Sequence, residues 1–194
     1  MASIKSIKQR IKSVKSTSQI TKAMEVVSAT KMRRSQEFAI RTRPYAVASL
    51  ELMQNLLHRS PVQPALLKSR PVKKSALLVV TSDKGLAGAF NANVLRRAES
   101  WYAAHPDGII FTIGKKAKEY FDRRGISLLQ SDLGFGDFTE LSQTLHIADR
   151  MIYGFLNNEW DEVDAVYTNF RSTLVQEATL KKILPVTKEG LEEV

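Results

Sequence analysis

A chain of 194 residues that is 43% hydrophobic and 25% charged has the balance of a folded protein, enough for one domain with an appendage or two small domains, and it is too apolar to be disordered throughout. The absence of cysteine excludes disulfides, thiolate nucleophiles, zinc ribbons and cysteine-held clusters and fits a reducing compartment, while no apolar run approaches the roughly 18 residues that span a bilayer and no secretory pattern opens the chain. The net charge of +9 sits wholly in the first sixty residues, where 12 Lys or Arg face only Glu25, Glu37 and Glu51, and the rest of the chain sums to zero. Such segregation points to an acidic partner for that segment (nucleic acid, a membrane surface or a negatively charged protein), with a merely solvated helix face as the plainer reading.

From Ser3 to Thr42 there is neither Gly nor Pro, which predicts one long helix with Ser3 as its N-cap. Ile4, Ile7, Ile11 and Val14 form a narrow apolar seam, and Lys5, Lys8, Lys12 and Lys15 repeat the same spacing one residue later. A narrow seam suits a two-helix coiled coil better than a broad globular core. The seam lapses at Ser16–Gln19 and resumes out of phase at Ile20, Met24 and Val27, which changes the local winding, and small Ala23, Ser28 and Ala29 admit a close neighbour. Pro44 is expected to kink or interrupt the helix, after which Val47, Leu50, Leu52, Met53, Leu56 and Leu57 restore helical spacing. At about 1.5 Å per residue such a helix reaches about 80 Å, so it is expected to protrude from the remaining domain. The predicted organisation is a basic shaft helix over 1–57, a linker over 58–74 carrying Pro61, Pro64 and Pro71, and an α/β domain over 75–194.

Ser75–Thr81 reads as a strand buried on both faces. After it come a loop over Ser82–Gly88, a helix over Ala89–Ala104, a strand over Gly108–Ile113 and a short helix over Lys115–Arg124 ended by Gly125. Then come a strand at Ile126–Leu129, a loop at Leu133–Phe138, and a helix at Thr139–Asn157 on the stripe Leu141, Leu145, Ala148, Ile152 and Leu156. Val163–Thr168 gives a fourth strand, and the amphipathic stretch Leu174–Val186 supplies a fifth. Through the fourth strand the order is βαβαβαβ, with crossovers long enough for parallel pairing, which predicts the α/β class: a Rossmann-like three-layer α/β domain beside a long N-terminal coiled-coil helix.

Little in the sequence carries chemistry. The turn Asp83–Asn91 lies where α/β sheets bind ligands, yet it lacks both G-x-G-x-x-G and the Gly-Lys-Ser/Thr of a P-loop, so a structural turn or a docking loop is the better reading than a nucleotide site. His58, His105 and His146 have no ligand spacing, and the acidic run Glu159, Asp161, Glu162 and Asp164 reads as a solvated loop rather than a metal site. No nucleophile elbow and no acid–base pair stands out, so no catalytic, cofactor-binding or metal-ligating residue is assigned and the chain is read as non-catalytic. The basic helix has no aromatic for base stacking before Phe38 and no Trp or Phe for a membrane face, so a partner helix accounts for its seam best; a nucleic-acid-binding arm is the alternative.

Two stretches are nevertheless distinctive. Ile20-Thr21-Lys22-Ala23-Met24, within Ser16–Met32, and Thr81-Ser82-Asp83-Lys84-Gly85-Leu86-Ala87-Gly88-Ala89-Phe90-Asn91 closely resemble the two signatures of the gamma subunit of F-type ATP synthase. Arg70–Lys74, Gln176-Glu177 and Leu184-Pro185-Val186 are similar too, and the likeness runs over essentially the whole chain. The resemblance implies a non-catalytic central-stalk rotor subunit: the N-terminal helix pairs with a C-terminal helix as a shaft inside a ring of alpha and beta subunits. The α/β domain forms a foot that meets the epsilon subunit and the c-ring and binds no nucleotide. Proton flow turns ring and shaft, and rotation drives ATP synthesis in the beta subunits, at the cytoplasmic face of a bacterial plasma membrane; the absence of the cysteine-bearing insertion of chloroplast members favours that origin. In these terms Ile4, Ile7, Ile11, Val14, Ile20, Met24 and Val27 line the shaft, and Lys8, Lys12, Lys15, Lys22 and Lys31 face acidic elements of beta. Arg33 and Arg34, with Arg41 and Arg43, face the foot and c-ring side, and Lys84 makes a catch-like contact with the ring. The family chain continues into the long helix that completes the shaft, so a chain ending at Val194 is expected to be a fragment, to borrow that helix from another polypeptide, or to lack the full shaft.

Overall fold

The computed structural model describes residues 3–59, 64–135 and 141–187. The chain falls into two compact units, Met1–Ser49 and Leu50–Val194.

The first unit is the body of a single helix, α1 (Ile4–Arg59), whose last turns belong to the second unit. Ser3 opens it: the Lys5 N–H, one of the donors a helix start leaves orphaned, donates to Ser3 Oγ at 3.3 Å, and Ser3 O accepts the first bond of the helical ladder from the Ile7 N–H at 3.1 Å. The helix is not interrupted at Pro44, where the ring removes a single N–H. Just before it, the Thr42 hydroxyl turns back onto Phe38 O at 3.2 Å and Ala39 O at 3.1 Å, so hydroxyl bonding to the preceding turn accompanies the break in the ladder.

The second unit is built on a five-stranded sheet in the order β3-β2-β1-β4-β5. Its strands are β1 (Ser75–Val80), β2 (Ile109–Ile113), β3 (Leu128–Asp132), β4 (Glu162–Phe170) and β5 (Gln176–Leu184). β1 pairs in parallel with both β2 and β4, and β2 with β3, through crossover helices α2 (Phe90–Ala104), α3 (Lys115–Asp122) and α4 (Leu141–Leu156). β1 sends Leu77 and Val79 into a core shared with Val94, Ala98 and Trp101 of α2 and Ala117 and Phe121 of α3. Ala76 and Leu78 point the other way, into a core with Ile147, Met151 and Phe155 of α4 and Trp160. The alternation of strand side chains thus makes three layers, and it explains why β1 reads as an unbroken apolar run.

The expectations for β3 and α4 need correction, and the structure adds the direction of β5 and the packing of the linker. β3 lies two residues later than Ile126–Leu129, because Ile126 packs beside the α2–α3 core while Gln130, Ser131 and Asp132 make the ladder. β5 is antiparallel to β4: the connection Arg171–Val175 is too short for a crossover and closes a hairpin. In α4 the buried stripe is Ile147, Met151 and Phe155, and Leu145 and Leu156 are exposed; Thr139 and Glu140 lie outside the described residues. Within the linker, Ala65–Leu67 forms a 3-10 turn whose Leu66 packs on the α4 core and accepts the Val186 N–H at 3.0 Å. Pro61 and the side chains of Leu56, Leu57 and His58 lie outside the described residues.

Candidate functional site

Every apolar residue assigned to the shaft seam is exposed in α1: Ile4, Ile7, Ile11, Val14, Ile20, Met24 and Val27. At about 100° per residue the first four fall on one side of the helix and Ile20, Met24 and Val27 about half a turn away, so the apolar stripe changes flank near Gln19. Lys8, Lys12 and Lys15 line up beside the first stripe and are exposed, and Arg10, which the lysine spacing does not pick out, borders its other edge. Lys22 lies near the first stripe, whereas Lys31 falls on the flank of the second and is half-buried with an interaction of its own. Arg33 is engaged within the helix, its Nε 3.1 Å from Glu37 Oε1, and Arg34 is exposed. Clustered cations beside exposed aliphatic surface can take an apolar helix and an acidic surface at once.

The loop after β1 is a latch. The first three backbone N–H groups of α3, which the helix leaves without partners, are all taken by consecutive residues of this loop. Lys115 N–H donates to Asp83 Oδ1 at 2.8 Å, Lys116 N–H to Ser82 O at 3.2 Å and Ala117 N–H to Thr81 Oγ1 at 2.8 Å. The second oxygen of Asp83 accepts the Gly134 N–H at 3.0 Å, so one carboxylate ties the loops after β1 and β3 to the start of α3. Ser82 N–H donates to Asn91 Oδ1 at 3.0 Å, holding the loop to α2 as well. Gly114 allows the close approach: with φ at +96°, a Cβ there would stand 2.2 Å from Thr81 O. The N-terminus of α3 is therefore filled by the protein's own carboxylate. What the latch presents is Lys84 and Leu86, both exposed, with Leu86 held at φ +60° and 99% exposed. No local pattern signals the latch, because its donors lie 32 and 51 residues from Asp83.

The acidic run at the α4–β4 junction is not a solvated loop. Asp161 Oδ2 accepts the N–H groups of Lys73 at 2.8 Å and Lys74 at 3.1 Å, and its Oδ1 lies 2.7 Å from Arg70 Nε. Burial opposes ionisation of Asp161, but those backbone donors and the Arg70 guanidinium outweigh it and hold its carboxyl below the usual range. Arg70 also donates to Asn158 Oδ1 at 2.6 Å, to Phe155 O at 2.7 Å and to Trp160 O, and stacks 4.4 Å above the Phe155 ring. Glu162 and Asp164 are buried within β4, and Glu159 pairs with Arg150 at 2.6 Å. His146 Nε2 sits 2.7 Å from Asp132 Oδ1, and His105 stacks on Trp101. Among the described residues no three His, Asp or Glu gather as a metal set, and no helix is long and apolar enough to cross a membrane.

The described residues combine a Rossmann-like α/β unit with a basic helix that shows an apolar stripe to solvent. The sequence profile of the family described as ATP synthase matches residues 3–193. The ATP synthase gamma chain of Roseiflexus castenholzii is 43% identical over 193 residues, which are 96% of this chain and 67% of that one. The sodium ion specific gamma chain of Acetobacterium woodii is 36% identical over 189 residues, 97% of this chain and 63% of its own. The chain belongs to the ATP synthase gamma-chain family. It spans about two thirds of the length of the curated relatives it matches. In fold it is similar to a chain from the central stalk and c-ring of the Tetrahymena thermophila mitochondrial ATP synthase, with a TM-score of 0.71 and 23% identity over 86% of this chain and 72% of that one. A chain from the rotor of the Euglena gracilis mitochondrial enzyme gives 0.63 and 16%, covering 96% and 64%. The nucleic-acid reading of the basic arm finds no support among these relatives.

Proposed function

We propose that this chain acts as the central-stalk rotor subunit of a proton-translocating ATP synthase, peripheral on the cytoplasmic face of a bacterial plasma membrane. It carries rotation from the c-ring to the ring of alpha and beta subunits and leaves ATP chemistry to the latter. The observation that carries this reading is the gamma-chain likeness extending through both units, from the basic helix to β5. The physics of the surface supports it. A turning shaft has to push on acidic elements without locking to them, and exposed lysine–carboxylate contacts are individually weak enough to form and break. We assign Lys8, Lys12, Lys15 and Lys22 to contacts with acidic elements of beta, with Lys31 on the flank of the second stripe. Arg33, Arg34, Arg41 and Arg43 are assigned to the foot and c-ring side. The exposed aliphatic residues from Ile4 to Val27 take a partner helix, and the latched loop offers Lys84 to the ring, with the α/β unit meeting epsilon and the c-ring.

Purification of the assembly from native membranes, with the intact mass of this band, tests the partnership directly. The expected result is co-isolation with alpha, beta, epsilon and c subunits; isolation free of all of them overturns the reading. Replacing Lys8, Lys12 and Lys15 together by Glu then tests the assignment of the stripe. Torque or coupling between ATP hydrolysis and proton pumping is expected to fall, and unchanged synthesis, hydrolysis and pumping remove the assignment.

A further inference from the structure

β4 places two carboxylates, Glu162 and Asp164, on the sheet face covered by α2, 6% and 8% exposed. Glu162 Oε2 lies 2.5 Å from Lys182 Nζ of β5, while its Oε1 accepts the Ser75 hydroxyl of β1 at 2.7 Å and faces His105 Nε2, just past the end of α2, at 3.8 Å. Asp164 Oδ2 accepts the indole N–H of Trp101, from α2, at 2.7 Å. Lys182 stands opposite Asp164 in the ladder, yet its ammonium is taken by Glu162. The ladder slips here, since Val163 pairs with Leu184 and Asp164 with Lys182, leaving Ile183 as an extra residue; such bulges re-aim side chains. His105 Nδ1 is 2.9 Å from Trp101 O, and with that nitrogen as donor Nε2 is the atom turned to Glu162.

The charges that act on the pair are Lys182 and His105, together with the pair itself. The two carboxylates against the one ammonium of Lys182 leave one negative charge beneath the sheet, and a single proton cancels it. The two carboxylates are buried, whereas the side chains of Lys182 and His105 are 45% and 34% exposed, so the cost of uncompensated charge falls on the carboxylates. The two carboxyls divide accordingly. Burial, joined by repulsion from Glu162, pushes Asp164 up against the pull of Trp101, Lys182 and His105. For Glu162 burial works the same way but is outweighed by Lys182 and Ser75, which hold it low.

We propose that Glu162, Asp164, Lys182 and His105 form one proton-binding site between α2 and β5, and that the bound proton sets how firmly β5 is held against α2. β5 is the element free to respond, because it is an edge strand with a single ladder to β4, and α2 packs across it. With the proton bound the site is neutral and closed. When it leaves, the remaining charge is relieved by admitting water along β5.

The full chain carries its own reporters. Trp101 bonds to the site, and Trp160, whose indole N–H donates to Met151 O at 3.0 Å, is the internal control. With 15N-labelled tryptophan, the Trp101 indole resonance is expected to titrate with a midpoint above the ordinary carboxylate range, and that of Trp160 not to follow it. Glu162→Gln, which removes the like charge and frees Lys182 for Asp164, should lower that midpoint, and Asp164→Asn should abolish the titration. Amide exchange at Thr179–Ile183, corrected for intrinsic rates, should accelerate above the midpoint in the wild type and lose this dependence in Asp164→Asn. A Trp101 midpoint in the ordinary range that Glu162→Gln leaves in place, or β5 exchange indifferent to pH across it, overturns the proposal. The wild-type and Glu162→Gln titrations decide it even if Asp164→Asn does not fold.

Discussion

Arg70 joins the segment entering β1 to the α4–β4 turn, and Arg70→Ala removes that joint. Its guanidinium donates to two backbone carbonyls, Phe155 O and Trp160 O, and to Asn158, and it neutralises Asp161 at 2.7 Å with its side chain 23% exposed. Hydrogen bonds to a charged donor contribute about 1.5–3 kcal/mol each, but partial exposure lets water replace some of them, so the two carbonyls are taken at about 1 kcal/mol apiece. Asp161 keeps the Lys73 and Lys74 N–H groups, so losing its cation adds about 1 kcal/mol, for a total of about 3 kcal/mol. In a unit of this size that lowers the melting temperature by about 6–12 °C. The assay is urea unfolding followed by tryptophan fluorescence. Trp101 and Trp160 are the chain's two tryptophans and both are buried in the second unit, so the signal reports the α/β unit and is silent on the arm. Arg70→Lys keeps the charge but not the planar fork, and is expected to recover less than half of the loss. A loss below about 1 kcal/mol in Arg70→Ala, or full recovery by Lys, would refute the view of Arg70 as a multi-point joint.

Three further substitutions test other parts of the molecule. Gly154→Ala in α4 would place a Cβ 2.0 Å from Trp160 Cζ2, so instead of the usual helix gain it is expected to cost about 1–3 kcal/mol and to shift Trp160 emission; an unchanged urea midpoint contradicts the packing. Asp83→Ala opens the latch on α3 and is expected to speed amide exchange at Lys115 and Gly134 by at least tenfold while leaving β4 unchanged, with equal protection in both proteins as the contrary result. Asp161 is held below its unfolded value, so the stability it contributes is complete above the ordinary Asp range and is lost as pH falls through the folded value. Asp161→Asn should therefore flatten the acid side of the urea-midpoint profile, and a profile with the wild-type slope there speaks against the Arg70–Asp161 link.

The sequence made β1 legible because both faces of that strand are buried, and it made the seam and lysine stripe of α1 legible because a single helix maps spacing directly onto sides. It misplaced what depends on distant partners. In α4 two apolar stripes interleave, and only the sheet and Trp160 decide that Ile147, Met151 and Phe155 turn inward. Glu162 and Asp164 look solvated by composition, yet they lie on alternate positions of a strand whose α2 face is closed by Trp101 and His105, more than fifty residues earlier. Asp83 shows the same limit, being polar, set in a glycine-rich turn, and bonded to donors far along the chain. The direction of β5, which the sequence reading left open, follows from its connection, because five residues between strands close a hairpin and do not span a crossover.

The central position of β1 has a mechanical consequence. The segment leading out of α1 feeds into the middle strand of the sheet, which is bonded on both edges to parallel neighbours. A pull delivered along that segment loads two ladders lengthwise, so many bonds resist together, whereas an edge strand peeled sideways gives way one bond at a time. The segment ahead of β1 thus enters the sheet at its most shear-resistant strand, with Arg70 and Asp161 as the mooring just before it.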